Sequence, residues 1–109
     1  MLVTTIDRIP GHEISEVLGL VQGSTIRARH LGRDIMAGLR NVVGGEIKDY
    51  TQMLTEARQL AIQRMVKEAE RLGADAILGV RLATAQTMAG AAEVLAYGTA
   101  VRLKRASPG

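Results

Sequence analysis

The sequence predicts an α+β domain with a four-stranded antiparallel sheet, one short helix and one long helix, in the order β-β-α-α-β-β. Three observations support this fold class. Apolar and β-branched runs typical of strands lie near both ends of the chain, and segments with apolar residues at three- and four-residue steps lie between them. A length of 109 residues suffices for one compact domain and is too short for two separate cores.

The first part of the chain predicts two strands. Leu2 to Ile6 is a short apolar and β-branched run, ended by the turn signal Ile9-Pro10-Gly11. A longer run from Glu13 to Arg29 predicts the second strand, in which we expect Gly19 and Gly23 at bulges or tight bends.

A short helix follows, because the apolar residues between Ile35 and Val43 fall on one helical face. Gly44-Gly45 is the predicted stop of this helix.

The long helix has the clearest pattern in the sequence. Apolar residues recur at helical spacing from Tyr50 to Leu72, which corresponds to about six turns. Asp49 is the predicted N-cap, with Gln52 completing a capping box, and Gly73 is placed to end the helix after Arg71. Its opposite face is expected to be solvated and carries Gln52, Glu56, Arg58, Gln59, Gln63, Lys67 and Glu70.

The third strand is predicted from Ala76 to Ala85, with Leu78, Val80 and Leu82 on one side. Thr87 to Gly90 then turns the chain back. These residues complete a single domain that spans residues 1–104, followed by a frayed tail over residues 105–109.

The fourth strand, Glu93 to Lys104, is apolar on both faces. Leu95, Tyr97, Thr99, Val101 and Leu103 share one face, while Val94, Ala96, Gly98 and Ala100 share the other. A strand that is apolar on both sides is normally covered on both sides, and one long helix can cover only one. We therefore expect the second face to meet another copy of the chain in a homo-oligomer.

Composition supports association and excludes several function classes. Tyr50 and Tyr97 are the only aromatic residues, so the core is built from side chains that each bury little area. The absence of cysteine excludes disulfides, thiolate metal sites and thiol chemistry. The sequence shows no apolar stretch of about 20 residues and no signal peptide, so we expect a cytoplasmic protein without a membrane partner.

The segment from Arg33 to Gly45 is the candidate ligand-binding corner. Arg33, Asp34 and Arg40 lie on or beside the predicted short helix, close to the backbone amides of Gly44 and Gly45, and such groups can hold a small anion. The alternative is structural. In that case Asp34 caps or pairs locally, Arg40 binds carbonyls or a carboxylate, and the glycines only end the helix.

The sequence gives less support to a metal site, a catalytic nucleophile or a nucleic-acid interface. A metal site would have to combine His12 and His30 with carboxylates, and two histidines are a poor set of ligands for a transition metal. No serine lies in a nucleophile motif, and the 14 basic residues are scattered among 11 acidic ones without aromatic residues to stack on bases. We therefore expect no cofactor, no nucleic-acid partner and no catalytic site.

Several motifs together resemble the YbjQ-like family of small bacterial proteins. In chain order they are Arg33-Asp34, Ala37-Gly38-Leu39-Arg40, Val43-Gly44-Gly45, Tyr50, Ala57-Arg58, Leu72-Gly73-Ala74-Asp75-Ala76, Gly79 and Tyr97-Gly98-Thr99-Ala100-Val101. The resemblance implies a four-stranded antiparallel sheet with a long helix, assembled as a ring of five subunits. The family carries a heavy-metal-binding label and has no established reaction.

This chain departs from that label because it has no cysteine and two histidines. Asn41 also stands after Arg40 where the family pattern has Asp, which removes a carboxylate from the corner. The sequence thus predicts a homo-oligomeric binding or scaffold protein, with an anionic metabolite at the Arg33 to Gly45 corner as the first alternative and a heavy metal or divalent cation as the second.

Overall fold

The computed structural model describes residues 1–27, 45–86 and 92–107. Within these ranges the α+β class is confirmed, since one long helix packs on a four-stranded sheet. The predicted short helix and the predicted turn from Thr87 to Gly90 lie outside the described residues. The elements are β1 (Leu2–Val3), β2 (His12–Arg27), α1 (Gly45–Arg71), β3 (Ala76–Gln86) and β4 (Ala92–Arg105).

The sheet is mixed, so the prediction of a purely antiparallel sheet is wrong. The strand order is β1-β3-β4-β2, with β2 and β3 antiparallel to β4 and with β1 parallel to β3. The difference arises because Ile9-Pro10-Gly11 does not close a hairpin between β1 and β2. The chain instead leaves β1 at one side of the sheet and crosses to β2 at the other, with Ile9 packed on the sheet between them.

Two glycines in β2 have different structural roles. The register with β4 shifts between Val17 and Gly19, and Gly19 has a φ of 119°, so the predicted irregularity there is confirmed as a bulge. Gly23 instead lies in regular register, and the bend predicted at this position is wrong. A Cβ atom added to Gly23 would overlap the carbonyl oxygen of Ala61 and the amide nitrogen of Met65, so this glycine allows α1 to approach the strand closely.

One row of α1 faces the sheet. Ala57, Ala61, Met65 and Ala69 follow each other at four-residue steps, and each is fully buried. The polar side chains that were predicted to be solvated are exposed. Small residues in this row keep the helix axis near the backbone of β2, at the cost of a core that contains few large side chains.

The C-terminus of α1 is capped at Gly73, as the sequence predicts. Gly73 has a φ of 80°, and its amide donates to the carbonyl of Glu70 at 3.0 Å. The amide of Ala74 donates to the carbonyl of Ala69 at 3.0 Å, which completes a Schellman motif. Nε of Arg102 on β4 donates to the carbonyl of Gly73 at 3.2 Å, so a cation lies at the negative end of the helix.

The N-terminus of α1 differs from the prediction. The helix begins at Gly45, so Asp49 lies inside it and the prediction of Asp49 as the N-cap is wrong. Glu46, Ile47 and Lys48 carry no signal that stops a helix, and the helix therefore extends one further turn toward the N-terminus. No helix within the described ranges is long and apolar enough to cross a membrane.

A bulge in β3 reverses part of the predicted facing. Gly79 has a φ of 62°, and the register with β4 shifts between Leu78 and Arg81. Leu78 therefore packs on the face away from α1, while Val80 joins the core under the helix. The prediction that Leu78 and Val80 share a side is wrong, because the glycine bulge inserts a residue that the alternation did not include.

The alternation predicted for β4 is confirmed. Val94, Ala96 and Ala100 pack in the core beneath α1, whereas Val101 and Leu103 pack on the opposite face of the sheet. We call this opposite face the outer face.

Replacing Gly23 with alanine should destabilise the fold by about 1–3 kcal/mol, because the new methyl group overlaps backbone atoms of α1 that cannot rotate away. Urea unfolding monitored by circular dichroism measures the change. Gln22→Ala is the control, since Gln22 is exposed on the neighbouring position and its loss should stay within about 0.5 kcal/mol. Equal stability of Gly23→Ala and the parent would contradict the close seating of the helix.

Candidate functional site

The predicted anion-binding corner falls almost entirely outside the described residues. Arg33, Asp34, Arg40 and Gly44 belong to residues 28–44, whose structure is not described, and Gly45 is the first residue of α1. The assignment of these five residues to a binding site therefore remains a prediction from the sequence.

The described residues do not fit a heavy-metal site. His12 is exposed on β2, and its Nδ1 lies 3.3 Å from the carbonyl oxygen of Pro10. Across residues 1–27, 45–86 and 92–107, no three side chains among histidine, aspartate and glutamate converge as metal ligands. The whole sequence lacks cysteine, which is the soft ligand that heavy metals favour.

The pKa shifts of the described residues belong to an ion pair on the last turns of α1. The side chain of Arg71 donates a hydrogen bond to Glu68 at 3.2 Å, which lowers the pKa of Glu68 and raises the pKa of Arg71. The stabilisation from Glu68 is therefore present above its ordinary pKa and is lost as the pH falls through the lowered value. The two residues are three positions apart on the solvated side of α1, so the pair is a surface contact between neighbouring turns.

Polar side chains hold α1 to β2 on the inner side of the sheet. Thr25 is 4% exposed, and its hydroxyl donates to the carbonyl of Ala57 at 3.0 Å. Arg64 donates from Nη1 to the carbonyl of Ser24 at 2.6 Å. These bonds satisfy polar groups where helix and strand meet, and they leave this side of the sheet closed beneath the helix.

The outer face has a different character along β2. Four large apolar side chains remain exposed there, with exposed fractions of 44% for Ile14, 63% for Val17, 70% for Leu20 and 66% for Ile26. Register places Ile14 opposite Leu103 and Val17 opposite Val101, so these side chains share the face away from α1. An extended apolar stripe on a small domain is typical of an interaction surface.

The chain itself covers the part of the outer face that β3 and β4 form near Ala76 and Val101. Ile9, from the segment that crosses between β1 and β2, packs against the cluster of Ala76, Leu78 and Val101. The apolar residue Ile9 before Pro10 is the sequence signal for this contact, although the local pattern predicts Ile9 only as part of a turn. The crossing segment therefore supplies a partial second layer, which leaves the apolar side chains of β2 exposed.

The open edge of β2 is a poor place for another strand to pair. Within the described ranges β2 pairs with β4 alone, and its register is interrupted twice, between Ile14 and Glu16 and between Val17 and Gly19. The carbonyl of Ser24 already accepts a hydrogen bond from Arg64. Bulges and a charged side chain at an edge protect it from strand addition, so the apolar outer face is the more suitable surface for a partner.

The valine variant of Thr25 should lose about 1 kcal/mol of stability, because it keeps the shape of the side chain and removes the hydroxyl that bonds to Ala57. Thr84→Val is a matched control. Thr84 lies in the same cross-strand row, since both threonines are opposite Val94, but it is exposed. Urea unfolding of the two variants should separate them, and equal effects would contradict a structural role for the Thr25 hydroxyl.

Comparisons with known proteins give one consistent family. Residues 1–104 match the family model YbjQ_1, described as "Putative heavy-metal-binding". A UPF0145 protein of Archaeoglobus fulgidus is 60% identical over 104 residues, covering 95% of this chain and 96% of that protein. A UPF0145 protein of Thermus thermophilus is 59% identical over 106 residues, covering 97% of this chain and 93% of that protein.

A solved structure shows a similar fold. It is a protein of unknown function from Pediococcus pentosaceus that belongs to the DUF74 family, with a TM-score of 0.60 and 23% identity. The similarity covers 95% of this chain and 98% of that chain. At this level of identity the match supports the fold and carries no activity with it.

Proposed function

This chain belongs to the YbjQ family of UPF0145 proteins, and we propose that it works as a cytoplasmic homo-oligomeric binding or scaffold protein rather than as an enzyme. The observation that supports this proposal is the exposed apolar stripe of β2 on the outer face. Val17, Leu20 and Ile26 are 63–70% exposed in a single copy of the chain. A second copy that covers them removes this apolar surface from water.

Two energetic contributions favour association of the chain. Burial of each exposed aliphatic side chain contributes up to about 1.5–3 kcal/mol, and several such contributions together can offset the entropy lost on association. The single chain also has a modest core, because three of the four buried residues in the facing row of α1 are alanines. Association therefore supplies apolar burial that the isolated domain lacks.

Within this proposal the assembly is a ring of five subunits, as the family resemblance implies. Static light scattering on the purified chain tests it. With a chain mass of 11.7 kDa, five subunits give about 58 kDa. A folded 11.7 kDa monomer at micromolar concentration would contradict the proposal, whereas another oligomeric mass would keep self-association and exclude the five-fold ring.

Leu20→Glu should dissociate the oligomer while leaving each copy folded, because Leu20 is 70% exposed in the single chain and a buried carboxylate at an interface is costly. Light scattering measures the mass, and circular dichroism checks the fold. Gln63→Glu is the control, since it introduces the same charge on the exposed side of α1 and should keep the parent mass. If Leu20→Glu keeps the parent mass, the contact between copies does not use the apolar stripe of β2.

As a second candidate, we propose a small-anion site at the corner formed by Arg33, Asp34, Arg40, Gly44 and Gly45. One observation favours it over a cation site: Gly45 begins a helix of 27 residues, and the free amides of a helix N-terminus attract negative charge. The candidate ligand is an anionic metabolite, and inorganic phosphate is the probe for a first test.

Phosphate should raise the thermal midpoint of the parent by mass action and should leave that of Arg40→Ala unchanged. Arg58→Ala, which removes a cation from the exposed side of α1, should respond to phosphate as the parent does. No shift in the parent with phosphate, sulfate or a dicarboxylate would assign a structural role to the corner.

A further inference from the structure

A row of polar side chains crosses the outer face between its apolar positions. Tyr97 lies on this face, because it alternates along β4 with Ala96 of the core. Register places Tyr97 opposite Arg81 of β3 on one side and opposite Gln22 of β2 on the other. Directly opposite side chains share a face and lie about 5 Å apart at Cβ. These three residues therefore form one row, which we call the Tyr97 row, and it spans three strands, or roughly 10 Å.

The guanidinium of Arg81 is held in position by the backbone of the same copy. Its Nη1 donates to the carbonyl of Thr5 at 3.0 Å and to the carbonyl of Val80 at 2.8 Å. Both bonds use one nitrogen, and within the described ranges no protein acceptor bonds to Nε or Nη2 and no carboxylate pairs with Arg81. A fixed guanidinium with a free edge is well suited to bind a carboxylate through two parallel hydrogen bonds.

Tyr97 supplies a flat apolar surface beside this cation. Its side chain is half-buried, and neither its hydroxyl nor the side-chain amide of Gln22 bonds to another described residue. In the next row, Leu95 has Ala83 and Ser24 on its two sides. These two short side chains leave room beside the ring of Tyr97 for a second flat ring, in the offset arrangement that aromatic pairs prefer.

The charges and donors of the Tyr97 row favour an anion. Arg81 is cationic, Gln22 and Tyr97 each offer a donor, and the row contains no carboxylate. Glu93 lies on the same face but four residues from Tyr97 along β4, which corresponds to about 13 Å. A ligand that satisfies the row has an acidic group at one end, a planar apolar middle and a polar group at the other end.

We propose that the Tyr97 row binds a small aromatic carboxylate. The carboxylate pairs with Nε and Nη2 of Arg81, the ring packs against Tyr97, and a polar substituent on the far side of the ring bonds to the amide of Gln22. One copy supplies all three side chains, so the site does not require the self-association proposed above. In the proposed oligomer it borders the contact between copies, because Leu20 lies two residues before Gln22 on β2.

Para-hydroxybenzoate is the probe for this site, because its carboxylate and its hydroxyl lie at opposite ends of one ring. In isothermal titration calorimetry the parent should bind it at least about tenfold more tightly than para-hydroxybenzamide, which lacks the charge. Benzoate, which lacks the hydroxyl, should also bind more weakly. Arg81→Gln should remove the preference for the acid over the amide, and Gln22→Leu should remove the preference for the hydroxylated ring over benzoate.

Two control variants separate this site from the other cations of the chain. Arg58→Gln removes a cation from the exposed side of α1, and Arg40→Ala removes one from the predicted corner. Both should bind para-hydroxybenzoate as the parent does. Circular dichroism checks the fold of each variant, because Arg81→Gln also loses the bonds to Thr5 and Val80. If Arg81→Gln is unfolded, the loss of preference in Gln22→Leu decides the outcome.

Three results would overturn the proposal. They are equal binding of the acid and the amide by the parent, no binding of either at millimolar concentration, and parent-like preferences in Gln22→Leu. Loss of binding in Arg40→Ala together with full binding in Arg81→Gln would also overturn it and would assign the ligand to the corner. A monomeric parent in light scattering would contradict the proposed self-association and should leave binding at the Tyr97 row unchanged.

Discussion

The close seating of α1 on β2 determines the rest of the structure. Gly23 provides space for the helix backbone. The helix face toward the sheet carries the short side chains of Ala57, Ala61 and Ala69, which allow the helix to lie close to the strand. A helix held this near the sheet forms a compact inner layer in which Thr25 and Arg64 donate hydrogen bonds to the carbonyls of Ala57 and Ser24. The same small side chains limit the apolar area that the layer can bury, so burial of the other face in the proposed oligomer would add to the stability of the domain.

The outer face therefore links folding to function in this account. Ile9 of the crossing segment covers part of β3 and β4 on this face, whereas β2 beside them leaves Val17, Leu20 and Ile26 exposed. The bulges in β2 and the contact of Arg64 with Ser24 discourage strand addition at its edge. The second copy that we propose would therefore pack on the apolar face rather than pair along the edge of β2.

The sequence predicts the parts of this structure that local pattern determines. The four-residue repeat of α1, its end at Gly73 and the alternation of β4 each follow from residues close together in the chain, and the structure confirms them. The parallel pairing of β1 depends instead on a crossing segment without a repeating pattern. The bulge at Gly79 inserts one residue into an otherwise regular alternation, and the role of Gly23 depends on a helix about forty residues away in the chain. The candidate corner from Arg33 to Gly44 lies outside the described residues, so its prediction still rests on sequence alone.

The most direct test of the central claim uses the absence of cysteine in this chain, because a single engineered thiol is then a unique probe of burial. The variant Leu20→Cys reports on the outer face, and Gln63→Cys reports on the exposed side of α1. The rate of reaction with a soluble thiol reagent is measured as protein concentration increases from nanomolar to micromolar. We expect the thiol at position 20 to become protected as the copies assemble, while the thiol at position 63 reacts rapidly throughout. Equally rapid reaction of both thiols at every concentration would contradict it.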